Sequence, residues 1–124
     1  MSAITRIGTV IVPVSDQDRA LEFYLGLGFE KRLDGEFGEG QRWLEVAPPG
    51  AETSIALVLA PDGGPAPIEV SFASEDADAD HAQLVASGVE ADEEVIRMGE
   101  YVPPMFTFRD PDGNRFRVVE RPDA

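Results

Sequence analysis

Val12-Pro13-Val14-Ser15-Asp16-Gln17-Asp18-Arg19-Ala20-Leu21-Glu22-Phe23-Tyr24-Leu25-Gly26-Leu27-Gly28-Phe29 is the stretch on which the fold turns. Its opening residues close a run, Ile7 to Val14, that alternates around β-branched positions as a strand does. Ser15-Asp16-Gln17-Asp18 fits a capping box, with Ser15 as N-cap and Asp18 reaching back. Ala20, Leu21, Tyr24 and Leu25 then recur at helical spacing and form one apolar stripe. Gly26 and Gly28 end the helix, and Phe29 to Leu33 reads as the next strand.

Working outward, Asp34 to Gly40 contains three glycines and reads as a flexible flap between strands. It precedes no helix and lacks the P-loop lysine, so it is not a nucleotide loop. Arg42 to Ala47 and Thr53 to Ala60 read as strands joined by the turn Pro48-Pro49-Gly50. The segment 61–67, rich in Pro and Gly, is a linker candidate.

Beyond it the pattern returns. Ile68 to Ala73 reads as a strand, Ser74-Glu75-Asp76-Ala77 opens a helix that ends at Gly88, and Val89 to Arg97 contains a strand. Met105 to Arg109 and Asn114 to Glu120 flank the turn Asp110-Pro111-Asp112-Gly113, and Pro122 stops the last strand. Gly50 and Gly113 close equivalent hairpins. Self-similarity at half the chain length indicates duplication. The expected fold class is therefore α+β: one domain over 1–124, built from two βαβββ half-modules at about 4–61 and 67–121. Neither half buries its sheet alone, so two curved sheets facing each other around a cleft are expected.

Composition narrows the partners. The 124 residues carry 10 Lys and Arg against 24 Asp and Glu, a net charge of −14. Nucleic-acid backbones and anionic membranes are thereby disfavoured, and a cationic ligand is favoured. Much of the acidity sits in solvated segments such as Glu75 to Asp80 and Glu90 to Glu94, where solubility alone explains it. There is no cysteine, which removes disulfides, thiolate ligands and thiol nucleophiles and accords with a cytoplasmic protein. Met1 to Arg6 lacks the basic start and apolar core of a signal peptide, and no apolar run is long enough to span a membrane.

Val12-Pro13-Val14-Ser15-Asp16, Arg19-Ala20-Leu21-Glu22-Phe23-Tyr24 and Leu27-Gly28-Phe29 resemble the opening of vicinal oxygen chelate proteins. Phe108-Arg109-Asp110-Pro111-Asp112-Gly113-Asn114 resembles their closing hairpin. That family includes glyoxalase I, extradiol dioxygenases, and the bleomycin and fosfomycin resistance proteins. The likeness covers nearly the whole chain and is nearest to small bacterial glyoxalase-like members. Both motifs are turn and cap signals, so they speak for fold rather than reaction.

The resemblance implies four metal-ligand positions, one on each of four strands, normally His, Glu or Gln. Carried over, they fall on Thr9, Ala56, Glu69 (counting back from Gly88, where counting from Ser74 gives Ile68) and Arg117. Glu69 is preferred because Ile68, Val70 and Phe72 suit the helix-covered face. Alanine has no donor, and arginine is a permanent cation that repels a divalent ion. The expectation is a lost metal site and no cofactor. Glu69 and Arg117 then have several readings: a buried ion pair standing where the metal was, a base (Glu69), or a fork that grips a ligand oxyanion (Arg117). The lone histidine, His81, lies within the second helix and is expected to have a half-buried packing role or a surface role rather than a catalytic one. Trp43 and Tyr101 are further ligand-binding candidates because each joins an aromatic body to a polar handle. The ligand-binding set is thus Thr9, Trp43, Glu69, Tyr101 and Arg117.

Two functions follow as expectations. One is a metal-independent protein that binds a small molecule, as bleomycin-resistance relatives do. The other is a glyoxalase-type lyase, isomerase or epimerase with Glu69 as the catalytic candidate. A structural or regulatory module is a third. The resemblance also implies a homodimer.

Overall fold

A computed structural model describes residues 3–4, 6–60 and 67–121. The chain divides into two compact units, Met1–Ala66 and Pro67–Ala124. The first unit runs β1 (Thr9–Val14), α1 (Gln17–Gly26), β2 (Glu30–Gly38), β3 (Gln41–Ala47) and β4 (Ser54–Leu59). The second runs β5 (Glu69–Ser74), α2 (Ala77–Ala86), β6 (Glu90–Ala91), β7 (Met105–Arg109) and β8 (Arg115–Glu120). The sheets are ordered β1-β4-β3-β2 and β5-β8-β7-β6. In each, the first pair is parallel and the rest antiparallel, so the fold class is α+β. Most of the segment read as a linker, 61–66, lies outside the described residues, as does Pro122.

Both helices are bounded by the same chemistry. Asp16, not Ser15, is the N-cap of α1, and its carboxylate accepts from the Arg19 amide at 3.1 Å. Asp18 does not reach back, because it pairs with Arg42 instead. Two cap-competent residues stand side by side there, and the charged one takes the helix N-terminus. Asp76 caps α2 in the same way, accepting from the Ala79 amide at 3.0 Å. Each helix closes in a Schellman turn. The Phe29 amide donates to Tyr24 and the Gly28 amide to Leu25, and the Val89 amide donates to Leu84 and the Gly88 amide to Val85. Gly28 and Gly88 sit at φ 96° and 82°, a region that costs other residues strain.

Alternation sorts each sheet into two faces. In the first unit Val12, Val14, Leu44, Val46, Ile55 and Leu57 are buried with Ala20 and Tyr24 of α1. Of the four residues on the α1 stripe, Leu25 is exposed. In the second unit Phe72, Phe108 and Phe116 stack, with the first and last nearly parallel at 5.1 Å between centroids. Each such side chain buried contributes roughly 1.5–3 kcal/mol. His81 presents its ring edge to Phe106 and its Nε2 lies 2.7 Å from the Asp92 carbonyl, so it pins α2 to the sheet.

Two sequence expectations are corrected. Residues 34–38 are not a loop: they extend β2, with Gly35 opposite Trp43 and Glu36 opposite Arg42. The Arg42 guanidinium grips both Asp34 oxygens across that hairpin, at 2.8 and 2.9 Å. The strand expected within Val89 to Arg97 is only the two-residue β6, followed by an isolated bridge between Ile96 and Met105.

Candidate functional site

The register of the parallel pairs fixes which residues share the sheet face away from the helix. In the first unit Thr9 lies opposite Ser54, and Ile11 opposite Ala56, which in turn lies opposite Glu45 of β3. In the second, Glu69 lies opposite Arg115, and Ser71 opposite Arg117, which lies opposite Thr107 of β7. Thr9 and Ala56 are therefore diagonal neighbours in one sheet, and Glu69 and Arg117 are diagonal neighbours in the other. The pairs occupy corresponding places in the repeat.

Glu69 Oε1 receives two guanidinium groups, Arg117 Nη2 at 3.5 Å and Arg115 Nη2 at 3.7 Å. The Glu69 and Arg117 side chains are 46% and 45% exposed, so the reading of a buried ion pair is corrected. Every other residue of β8 faces the aromatic core, which leaves the intervening arginines at the surface. On the same face, Asp92 accepts the Thr107 amide at 3.0 Å and lies 3.7 Å from Arg109.

The first unit's face is different. Trp43 Nε1 donates to Glu45 Oε2 at 2.6 Å, and the Ser54 hydroxyl donates to Glu45 Oε1. Thr9 is exposed at the start of β1. Tyr101 belongs to no strand and is 91% exposed. Among the sequence candidates, only Glu69 and Arg117 are brought together by a direct contact. Glu45 was missed, although Leu44 and Val46 alternate around it and so mark it as facing away from the helix.

The closing motif explains itself in the same geometry. Asp110 and Asn114 are buried, at 4% and 0% exposure. Asp110 Oδ1 accepts the Asp112 and Asn114 amides, each at 2.9 Å, and its Oδ2 accepts Asn114 Nδ2 at 2.9 Å. Asn114 Oδ1 then accepts the Ile68 amide at 3.0 Å, stitching the turn to the start of β5.

With this topology present twice, the comparison with known proteins is decisive. The sequence profile of the Glyoxalase/Bleomycin resistance protein/Dioxygenase superfamily matches residues 6–118. The chain belongs to that superfamily. A glyoxalase/bleomycin resistance superfamily member from Sphaerobacter thermophilus DSM 20745 superposes with a TM-score of 0.86 at 35% identity, over 95% of this chain and 98% of that one. TnmS3, an antibiotic binding protein from Streptomyces sp. CB03234, gives 0.82 at 36% identity, over 97% and 98%. The uncharacterized protein YetH of Bacillus subtilis (strain 168) is 32% identical over 123 residues, 94% of this chain and 99% of its own length.

The four positions carried over by resemblance, Thr9, Ala56, Glu69 and Arg117, do not fit as a donor set for a divalent metal. They offer one hydroxyl, one methyl, one carboxylate and one guanidinium, and the carboxylate is already engaged by two cations. A divalent ion needs several oxygen or imidazole donors. Among the described residues no helix is long and apolar enough to cross a membrane.

Proposed function

We propose that this superfamily member binds a small molecule without a metal ion. The observation that carries the proposal is the contact between Glu69 and Arg117, at two positions where metal-dependent members place ligands. A guanidinium there suits an oxyanion on a ligand, which it receives as a two-pronged fork. The likeness to an antibiotic binding protein over nearly the whole chain supports binding rather than turnover. Thr9, Trp43, Glu69, Tyr101 and Arg117 are the proposed ligand contacts. The enzyme reading, with Glu69 as base, is the weaker: that carboxylate is half exposed and spent on two arginines.

The proposal includes a cytoplasmic homodimer that uses neither nucleic acid nor membrane. A net charge of −14 supports the last part.

The test is thermal melting with two kinds of probe: bleomycin, and zinc, nickel or manganese ions alone. A ligand at about 100 times its Kd stabilises by about 2.7 kcal/mol, a rise of roughly 10 °C for a chain this size. The expected result is a rise with bleomycin, reduced in Arg117→Ala, and no rise with the metals. A saturable rise with a metal that Glu69→Gln abolishes overturns the proposal. Light scattering that returned only the 13.4 kDa mass would remove the dimer.

A further inference from the structure

One rung crosses all four strands of the first sheet: Ile11, Ala56, Glu45 and Leu33 lie opposite one another in register, on the face away from α1. Three are apolar, and Ile11 and Leu33 are 57% and 51% exposed. The fourth is a part-buried carboxylate. Its two oxygens are oriented by the Trp43 indole N–H and the Ser54 hydroxyl. Both donors are neutral, and among the described residues Glu45 joins no salt bridge. In the second unit Glu69 and Asp92 behave differently, since each faces an arginine.

A carboxylate can accept about four hydrogen bonds, and Glu45 uses one at each oxygen. Partly desolvated, it lacks a counter-charge, and an arriving cation gains more from it than from a carboxylate in open water. The exposed Ile11 and Leu33 beside it offer contact to the apolar body that carries such a cation. We infer that Glu45 is the specificity-determining residue for a ligand bearing a protonated amine on an apolar or aromatic frame. This deepens the small-molecule reading and rests on it. Trp43 becomes a positioning residue, which aims the carboxylate through its indole N–H.

The chain's single tryptophan reports on the site, since its N–H is bonded to the residue in question. The experiment titrates the whole protein with phenethylamine and with its neutral counterpart, 2-phenylethanol, following Trp43 fluorescence. The wild type is expected to bind the amine about tenfold more tightly than the alcohol, with the preference shrinking as salt is added. Glu45→Gln keeps the shape and an acceptor for the indole, and is expected to lose the preference. Glu45→Asp keeps the charge and is expected to retain it, which covers the case of a Gln variant that does not fold. Equal affinity for the two probes in the wild type overturns the inference. So does an unchanged preference in Glu45→Gln, or no binding of either up to about 10 mM. If bleomycin still raises the melting temperature while the amine preference is absent, only the assignment of Glu45 falls. If bleomycin also fails, the binding reading falls with it.

Discussion

The two units share strand order, parallel pairing, an aspartate cap and a Schellman turn, yet their helix-free sheet faces carry opposite chemistry. The first presents Thr9, Ile11, Ala56 and one carboxylate held by neutral donors. The second presents Glu69 paired with Arg115 and Arg117, and Asp92 paired with Arg109. What duplication preserved is the set of turns and caps, where the backbone has few alternatives. What diverged lies on alternate strand positions facing away from the core, where substitution costs little stability. The teaching is that the repeat encodes the scaffold, and that the proposed ligand contacts lie where the two halves depart from it.

The sharpest way to break this comparison is at the closing hairpins. In the second unit the hairpin is tied by buried Asn114. In the first it is tied from the surface, by the Arg32 guanidinium donating to the Pro48 and Ala51 carbonyls at 3.0 and 2.8 Å. Asn114→Ala strands the Ile68 amide and an Asp110 oxygen, and is expected to cost about 3 kcal/mol in urea unfolding. Arg32→Ala leaves groups that water reaches and is expected to cost under about 1 kcal/mol. Equal costs would show that burial does not distinguish the two ties. Next in size come the helix ends. Gly28→Ala and Gly88→Ala are each expected to cost about 1 kcal/mol by the same measurement, since both glycines sit at positive φ. A cost confined to one of them would show that the repeat is not mechanically equivalent. Smaller again is Arg117→Ala, expected to change stability by less than about 1 kcal/mol because its pair is half exposed. A larger loss would make that arginine structural.

Most of the scaffold was legible because period and punctuation agree. Val12-Pro13-Val14 alternates, Gly28 and Gly88 stop helices, and Asp110 to Asn114 spells its own turn. The errors arose where local chemistry offers two solutions. Ser15 and Asp16 are both able to cap, and only the structure, in which Asp16 accepts the Arg19 amide while Asp18 pairs with Arg42, shows which does. Gly35 and Gly38 look like loop residues, but a cross-strand grip from Arg42 holds them in β2. The site was half legible. Glu69 was reached by counting back from Gly88 and Arg117 by its place after the Asp110 to Gly113 turn, whereas Glu45 lies on β3, where no ligand position was carried over. Its role depends on Ser54, on the neighbouring strand, which no spacing along β3 reveals.

The smallest expected effect is in the first unit's β2–β3 hairpin, in acid. The Arg42 guanidinium beside Asp34 lowers that carboxyl from 3.8 to about 2. The folded form thus binds the proton more weakly than the unfolded form does. The pair's contribution is complete above pH 3.8 and lost as pH falls through about 2. Melting curves of the wild type and Asp34→Asn should therefore differ above pH 3.8 and converge as pH falls to about 2. Parallel curves for Asp34→Asn would mean that the grip of Arg42 on the β2–β3 hairpin adds nothing to folding. The extension of β2 through residues 34–38 would then have to come from backbone pairing alone.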